Sequence, residues 1–223
     1  MIINKVRINY SIIGNFVDFL IHNEQRIKNM MQDFEIQSKV DTLPNGQEVK
    51  NLLFTKTVQR ILFSTTRIDF TYIYPNPMVS FDETYKEAVS FFSLVGEIFP
   101  EVVGNRIAIV VSSFIDNTAN KAIQTMTDYM GLTTAFGNCN ELSFKINTPK
   151  QKNEMINSVL NVDMGTATNN KTKEQMPVLL IAFDANTLVN DQNNRFYATH
   201  FEEDFKVLLE EIKSRTEEME KFA

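Results

Sequence analysis

Three aspartates stand in strand-like contexts: Asp69 in Arg67-Ile68-Asp69-Phe70, Asp163 in Asn161-Val162-Asp163-Met164, and Asp184 in Ala182-Phe183-Asp184-Ala185. Carboxylates that converge at sheet ends hold Mg²⁺ through oxygen ligands and activate water. That chemistry defines one candidate activity, a metal-dependent hydrolase or nuclease. A nuclease of the Asp…Glu-x-Lys type also needs Glu-x-Lys on the strand after an Asp, and neither strongly apolar strand supplies it. The competing reading is an Asp on a solvent face or at a strand end. The two separate on geometry: a shared cation needs ligand oxygens about 2.0–2.6 Å from it.

The remaining reactive residues are sparse. His200, Glu203 and Asp204 fall within one helical turn, and His200 with Asp204 has i,i+4 metal-ligand spacing. No second ligand pair accompanies them, His22 lies in an unrelated helix, and acids in a first turn also favour the helix dipole. Cys139 is the sole cysteine and has no histidine near it in sequence, so it reads as a passive thiol. Lys145, Lys150, Lys152, Lys171 and Lys173 form the basic region. They are weak nucleic-acid candidates, without the clustered arginines and exposed aromatics of a single-strand groove. Tyr72, Tyr74, Pro75 and Pro77 form an aromatic-proline rim that either binds peptide or closes a core.

Composition narrows the class. The 223 residues carry 43% hydrophobic side chains, 18 Phe, no Trp and a net charge of -6. The chain can bury a sizeable core, and it lacks the bulk positive charge of a general nucleic-acid binder. One Cys forms no intrachain disulfide. No signal peptide or membrane span is expected, so the default is a soluble cytoplasmic protein (the host cytoplasm for a virus). Frequent Asn, Ile and Lys fit an AT-rich genome, as in bacteria and their viruses.

The elements that position these residues follow from periodicity. Val6, Ile8, Tyr10 and Ile12 alternate with Arg7, Asn9 and Ser11, which predicts a half-buried strand. From Asn15 to Phe34 the spacing turns helical. A β-rich block runs from Phe34 through the Pro44-Asn45-Gly46 turn to a hairpin ending at Tyr74. Ser80 and Glu83 form a capping box ahead of a helix that ends at Pro100. Arg106–Ile115 is nearly continuous Ile, Val and Ala, and Val178–Phe183 resembles it; both predict central strands, the first covered on both faces. A shorter helix is expected over Asn117–Met130, a strand over Ile156–Met164, and a polar loop over Thr166–Gln175. Thr199 and Glu202 repeat the capping pattern before the last helix, whose line of Phe201, Phe205, Leu208, Ile212, Arg215, Met219 and Phe222 runs to the chain end.

One set of residues resembles a known family. Gln59-Arg60-Ile61-Leu62 with Ile68-Asp69-Phe70 and Pro75-Asn76-Pro77 is similar to the hairpin of SecB-type export chaperones, and Pro177–Leu180 through Phe183-Asp184-Ala185 resembles a late strand there. A long helix between them and an extra N-terminal strand and helix depart from that family. The resemblance implies polypeptide binding.

These readings converge on one α+β domain over residues 1–223, a mainly antiparallel sheet with three or four helices, and two similar β-then-helix halves at about 34–99 and 141–222. The expected function is non-catalytic protein binding, as an accessory or inhibitory factor of a bacterium or bacteriophage. Its partner is a protein, with a homodimer as one candidate assembly, and no cofactor or metal is expected. Expected contact residues are the Tyr72–Pro77 rim and Arg215, Met219 and Phe222. The alternatives are the metal-dependent hydrolase and a chaperone-like polypeptide binder.

Overall fold

The structure is a computed structural model, and it describes residues 3–73, 80–132, 140–151, 155–168, 172–188 and 193–220. The opening alternation forms β1 (Ile3–Ile13), with Ile8, Tyr10 and Ile12 fully buried. Helix α1 (Val17–Met30) buries Leu20, Asn23 and Ile27. It stops short of Phe34, because the chain turns with Phe34 N donating to Met31 O at 3.0 Å. β2 (Glu35–Thr42), β3 (Glu48–Lys56), β4 (Gln59–Phe63) and β5 (Arg67–Ile73) form a meander. Its first turn uses Gly46 at φ +80°, which glycine adopts without steric cost.

Helix α2 (Phe81–Ile98) opens with the expected capping box: Glu83 N donates to Ser80 Oγ at 3.2 Å, and Ser80 N donates to Glu83 Oε2 at 2.9 Å. β6 (Val103–Gly104) and β7 (Arg106–Asp116) follow. A 3-10 turn with Ala119 and Asn120 in the left-handed region precedes α3 (Lys121–Tyr129). β8 (Phe144–Gln151), β9 (Met155–Thr168) and β10 (Gln175–Thr187) form a second meander. β9 and β10 extend into the stretch expected to be loop, pairing Thr166 with Pro177 and Thr168 with Gln175. Ladder hydrogen bonds hold polar residues in a strand without an apolar anchor. β11 (Phe196–Tyr197), a 3-10 turn over Ala198–His200 and α4 (Phe201–Glu220) close the chain, so Thr199 lies inside the turn rather than capping the helix.

Among the described residues, nine strands form one antiparallel sheet in the order β2-β3-β4-β5-β1-β7-β10-β9-β8, and β6 pairs with β11 separately. β7 and β10 are interior, as expected. The topology repeats: strand, helix, meander, helix. In each round the opening strand returns beside the last strand of its own meander, β1 on β5 and β7 on β10. The two opening strands then pair with each other, Asn9 opposite Val110. The repeating unit thus starts at β1 and at β7, earlier than a β-then-helix half.

Helices α1, α2 and α4 pack on the face carrying Ile8, Tyr10 and Ile12, and buried side chains of α3 join the same hydrophobic cluster. The centre of that cluster is aromatic. Phe92 stacks on Phe201 at 4.2 Å, and Phe201 on Phe205 at 4.0 Å. Each fully buried Phe contributes about 2–3 kcal/mol. Residues of β7 on the other face, Val110 and Ser112, are only half-buried. Among the described residues the run of Ile, Val and Ala therefore has helices on one side only; on the other, flanking side chains of the sheet give partial cover.

Candidate functional site

The side of the sheet turned away from the helices forms a trough lined by strand residues. One hollow of about 850 Å³ is floored by Leu53, Leu62, Ile73, Val110 and Leu180 and flanked by Arg7, Arg60 and Arg67. A second, of about 670 Å³, extends it to Gln37, Lys39 and Asp41 of β2. The two share Leu53, Leu62 and Arg67, so the trough crosses the strands from β9 to the β2 edge. Register explains the lining. Leu62 lies opposite both Leu53 and Asp69, and Arg60 opposite Thr55 and Thr71. These alternate with Ile61 and Phe63, which point into the core.

A polar network crosses the trough between β5 and β1. Ser11 Oγ donates to Asp69 Oδ1 at 2.7 Å, and Arg67 Nε lies 3.0 Å from Asp69 Oδ2. Asn9 Nδ2 donates to Ser11 Oγ at 2.8 Å, and Thr71 Oγ1 donates to Asn9 Oδ1 at 2.6 Å. Burial raises the Asp69 carboxyl above its ordinary value, against the opposing pull of Ser11 and Arg67. A second network lies beyond the seam. Arg106 Nη2 donates to Asn186 Oδ1 at 3.1 Å, and Asn186 Nδ2 donates to Asp184 Oδ1 at 2.8 Å. Burial raises Asp184 as well.

The three aspartates therefore share a face but not a site. β5 and β10 are separated by β1 and β7, which places Asp69 and Asp184 about 14 Å apart at the usual strand spacing. Asp163 is opposite Leu180, four residues along β10 from Asp184, or about 13 Å. These separations are several times what two ligands of one cation span. Asp163 instead accepts from Met164 N at 2.9 Å. Among the described residues no three His, Cys, Asp or Glu side chains group as metal ligands, and His200 lies in the 3-10 turn with Tyr197 5.8 Å away.

The basic region is dispersed. Lys145 pairs in register with Asn161 on the trough side, whereas Lys150 points to the helix side and binds Glu211. Lys173 is exposed at φ +62°. Lys152, Lys171 and Cys139 lie outside the described residues.

Of the expected contact residues, Tyr72 is 9% exposed, and burial raises its hydroxyl above the ordinary value. Arg215 Nε donates to Ser158 Oγ at 3.2 Å and Glu211 Oε1 at 3.1 Å. Tyr74, Pro75, Pro77 and Phe222 lie outside the described residues, and Met219 is placed only by its backbone in α4. The sequence singles out neither Arg7 nor Leu53 as a contact residue, and Arg60, Leu62 and Leu180 enter only within the segments that resemble SecB-type chaperones. Their signal is the outward-facing half of each alternating strand, which becomes a surface only once the strand order is known.

The charge of the trough opposes that of the chain. Arg67 is committed to Asp69, but Arg7 and Arg60 make no ion pair among the described residues; Arg7 Nε donates to Ser112 Oγ at 3.4 Å. Among the described residues no helix is long and apolar enough to cross a membrane. Comparison with models of protein families, with curated proteins and with solved structures finds no match to this chain.

Proposed function

We propose that this is a non-catalytic binding protein that takes an extended segment of a partner polypeptide into the trough. The observation that carries this reading is the pair of guanidiniums, Arg7 and Arg60, which make no ion pair among the described residues and lie beside the apolar floor of Leu53, Leu62 and Leu180 in a chain of net charge -6. A segment with alternating acidic and apolar side chains satisfies both features. Its apolar groups bury on the leucines, and its carboxylates accept from the guanidiniums. From β2 to β9 the trough spans seven strand spacings, about 34 Å, or ~10 residues of extended chain. Such a binder acts as an accessory or inhibitory factor by occupying that segment.

The test is fluorescence anisotropy with labelled ten-residue peptides of alternating Glu and Leu, against peptides with Lys in place of Glu. The Glu series is expected to bind, and Arg60→Glu with Leu62→Glu to weaken it about tenfold or more. Equal binding of both series, or no effect of the substitutions, overturns the reading.

A second reading, a chaperone-like binder of many unfolded chains, draws on the β4–β5 hairpin, whose Arg60, Leu62 and Asp69 belong to the segment that resembles SecB-type chaperones and also line the trough. It requires binding of unrelated unfolded proteins with little regard to charge.

A further inference from the structure

We infer that β2 is a pairing edge through which two copies of this chain join their sheets. Among the described residues, both ends of the nine-stranded sheet present a strand with no outer partner, and they differ. At one end, β8 contains Pro149, which offers no N–H, and its Lys150 is drawn in to Glu211. Proline on an edge blocks the addition of another strand. At the other end β2 has no proline and pairs with β3 in unbroken register from Glu35↔Thr55 to Thr42↔Glu48. Among the described residues no strand pairs with its outer row of N–H and C=O groups.

The side chains of β2 supply the rest. Ile36 is 43% exposed and Val40 47%, and Ile21 of α1 is 40% exposed beside them. Val40, Ile21 and Leu20 line a small hollow of about 230 Å³ between α1 and the strand. Lys39, the residue that would ordinarily repel an incoming strand, lies 3.5 Å from Asp41 on its own strand, so the edge carries no net charge there.

The occupant is a second copy because β2 complements itself. A two-fold axis normal to the sheet runs the strands antiparallel and sets even sums of residue numbers opposite each other, so that faces match. Centring on Ser38 opposes Glu35 to Asp41, and centring on Lys39 opposes lysine to lysine. Centring on Gln37 pairs Glu35 with Lys39 but sets Ile36 against Ser38. Centring on Val40 pairs Lys39 with Asp41 twice, stacks Val40 on its counterpart and matches Ser38 with Thr42. That register is the one we assign. Lys39 and Asp41 also line the β2 end of the trough, so the two troughs become continuous across the axis.

The test uses the full chain and sedimentation over a dilution series. The wild type is expected to show a concentration-dependent dimer. Lys39→Asp and Asp41→Lys are each expected to weaken it about tenfold or more, and the double swap to restore it. Asp41 also accepts from Asn51, so circular dichroism checks that Asp41→Lys still folds; if it does not, Lys39→Asp and Val40→Arg decide. A wild type that stays monomeric at every concentration overturns the assignment. So does a dimer that none of the β2 substitutions weakens.

Discussion

Glu211 of α4 grips Lys150 of β8 with both carboxylate oxygens, at 2.7 and 2.8 Å, while its own side chain is 2% exposed. Arg215, one turn on, shares the first of those oxygens at 3.1 Å. The last helix is thereby fastened to the far end of the sheet by a buried carboxylate with two cations. Replacing Lys150 by Met leaves Glu211 short of a partner in a place that water scarcely reaches. The expected loss is about 2 kcal/mol, reduced from the fully buried case because Lys150 is itself a third exposed. Urea unfolding measures it as a lowered midpoint at unchanged slope.

The same carboxylate sets an acid limit. Burial works to raise Glu211, but its bonds with Lys150 and Ser158 and the nearby charges outweigh that and hold it below the ordinary glutamate value of 4.5. A carboxyl depressed by folding adds stability above its unfolded value, and the gain disappears as pH falls through the folded value. Glu211→Gln is expected to flatten the stability profile below about pH 4.5. A profile as steep as that of the wild type refutes this.

Asp69 works in the opposite direction. Folding raises its carboxyl above 3.8, so the folded chain takes up the proton first. Its contribution therefore grows as pH drops from the folded value toward 3.8 and fades as pH rises. Asp69→Asn should remove that component while keeping an acceptor for Ser11. Paired urea titrations of the variant and wild type across acid pH measure it.

Two glycines allow close approach. A Cβ on Gly96 of α2 meets Thr199 N at 2.8 Å, and one on Gly104 of β6 meets Ile13 O at 2.5 Å. Both obstacles are backbone and do not swing aside. Gly96→Ala and Gly104→Ala are expected to cost about 1–3 kcal/mol each, against a negligible cost for Ser90→Ala on the exposed side of α2. Thermal melts order the three.

Tyr10 Oη and Thr84 Oγ1 are 2.9 Å apart, and both residues are fully buried. Tyr10→Phe keeps the ring packing against Phe201 and removes that bond, for about 1 kcal/mol. A variant as stable as the wild type would show the hydroxyl to be dispensable.

The legible parts of this fold were the local ones. Period-two alternation located β1, and the Ser80–Glu83 box located α2. What sequence could not supply was adjacency across the sheet. Nothing in the residues around Glu211 announces Lys150, 61 positions away. Asp69, Asp163 and Asp184 share strand-like contexts in the sequence, yet β1 and β7 stand between Asp69 and Asp184. Arg60 and Leu62 stand in the sequence only as part of a SecB-like hairpin, and it takes β3 and β5 to set Leu53 and Asp69 beside Leu62.

The central seam dictates an order of assembly on the ribosome. β1 leaves the exit tunnel before the strands it pairs with: Ser11 waits 58 residues for Asp69, and Arg7 waits 105 residues for Ser112. Once the first meander has closed on β5, the other edge of β1 stays open until β7 has been translated. During that interval the nascent chain offers a bare strand edge, the kind of surface on which unfinished polypeptides misassemble. Synthesis that stalls between α2 and β7 should yield aggregates, and uninterrupted synthesis a finished sheet.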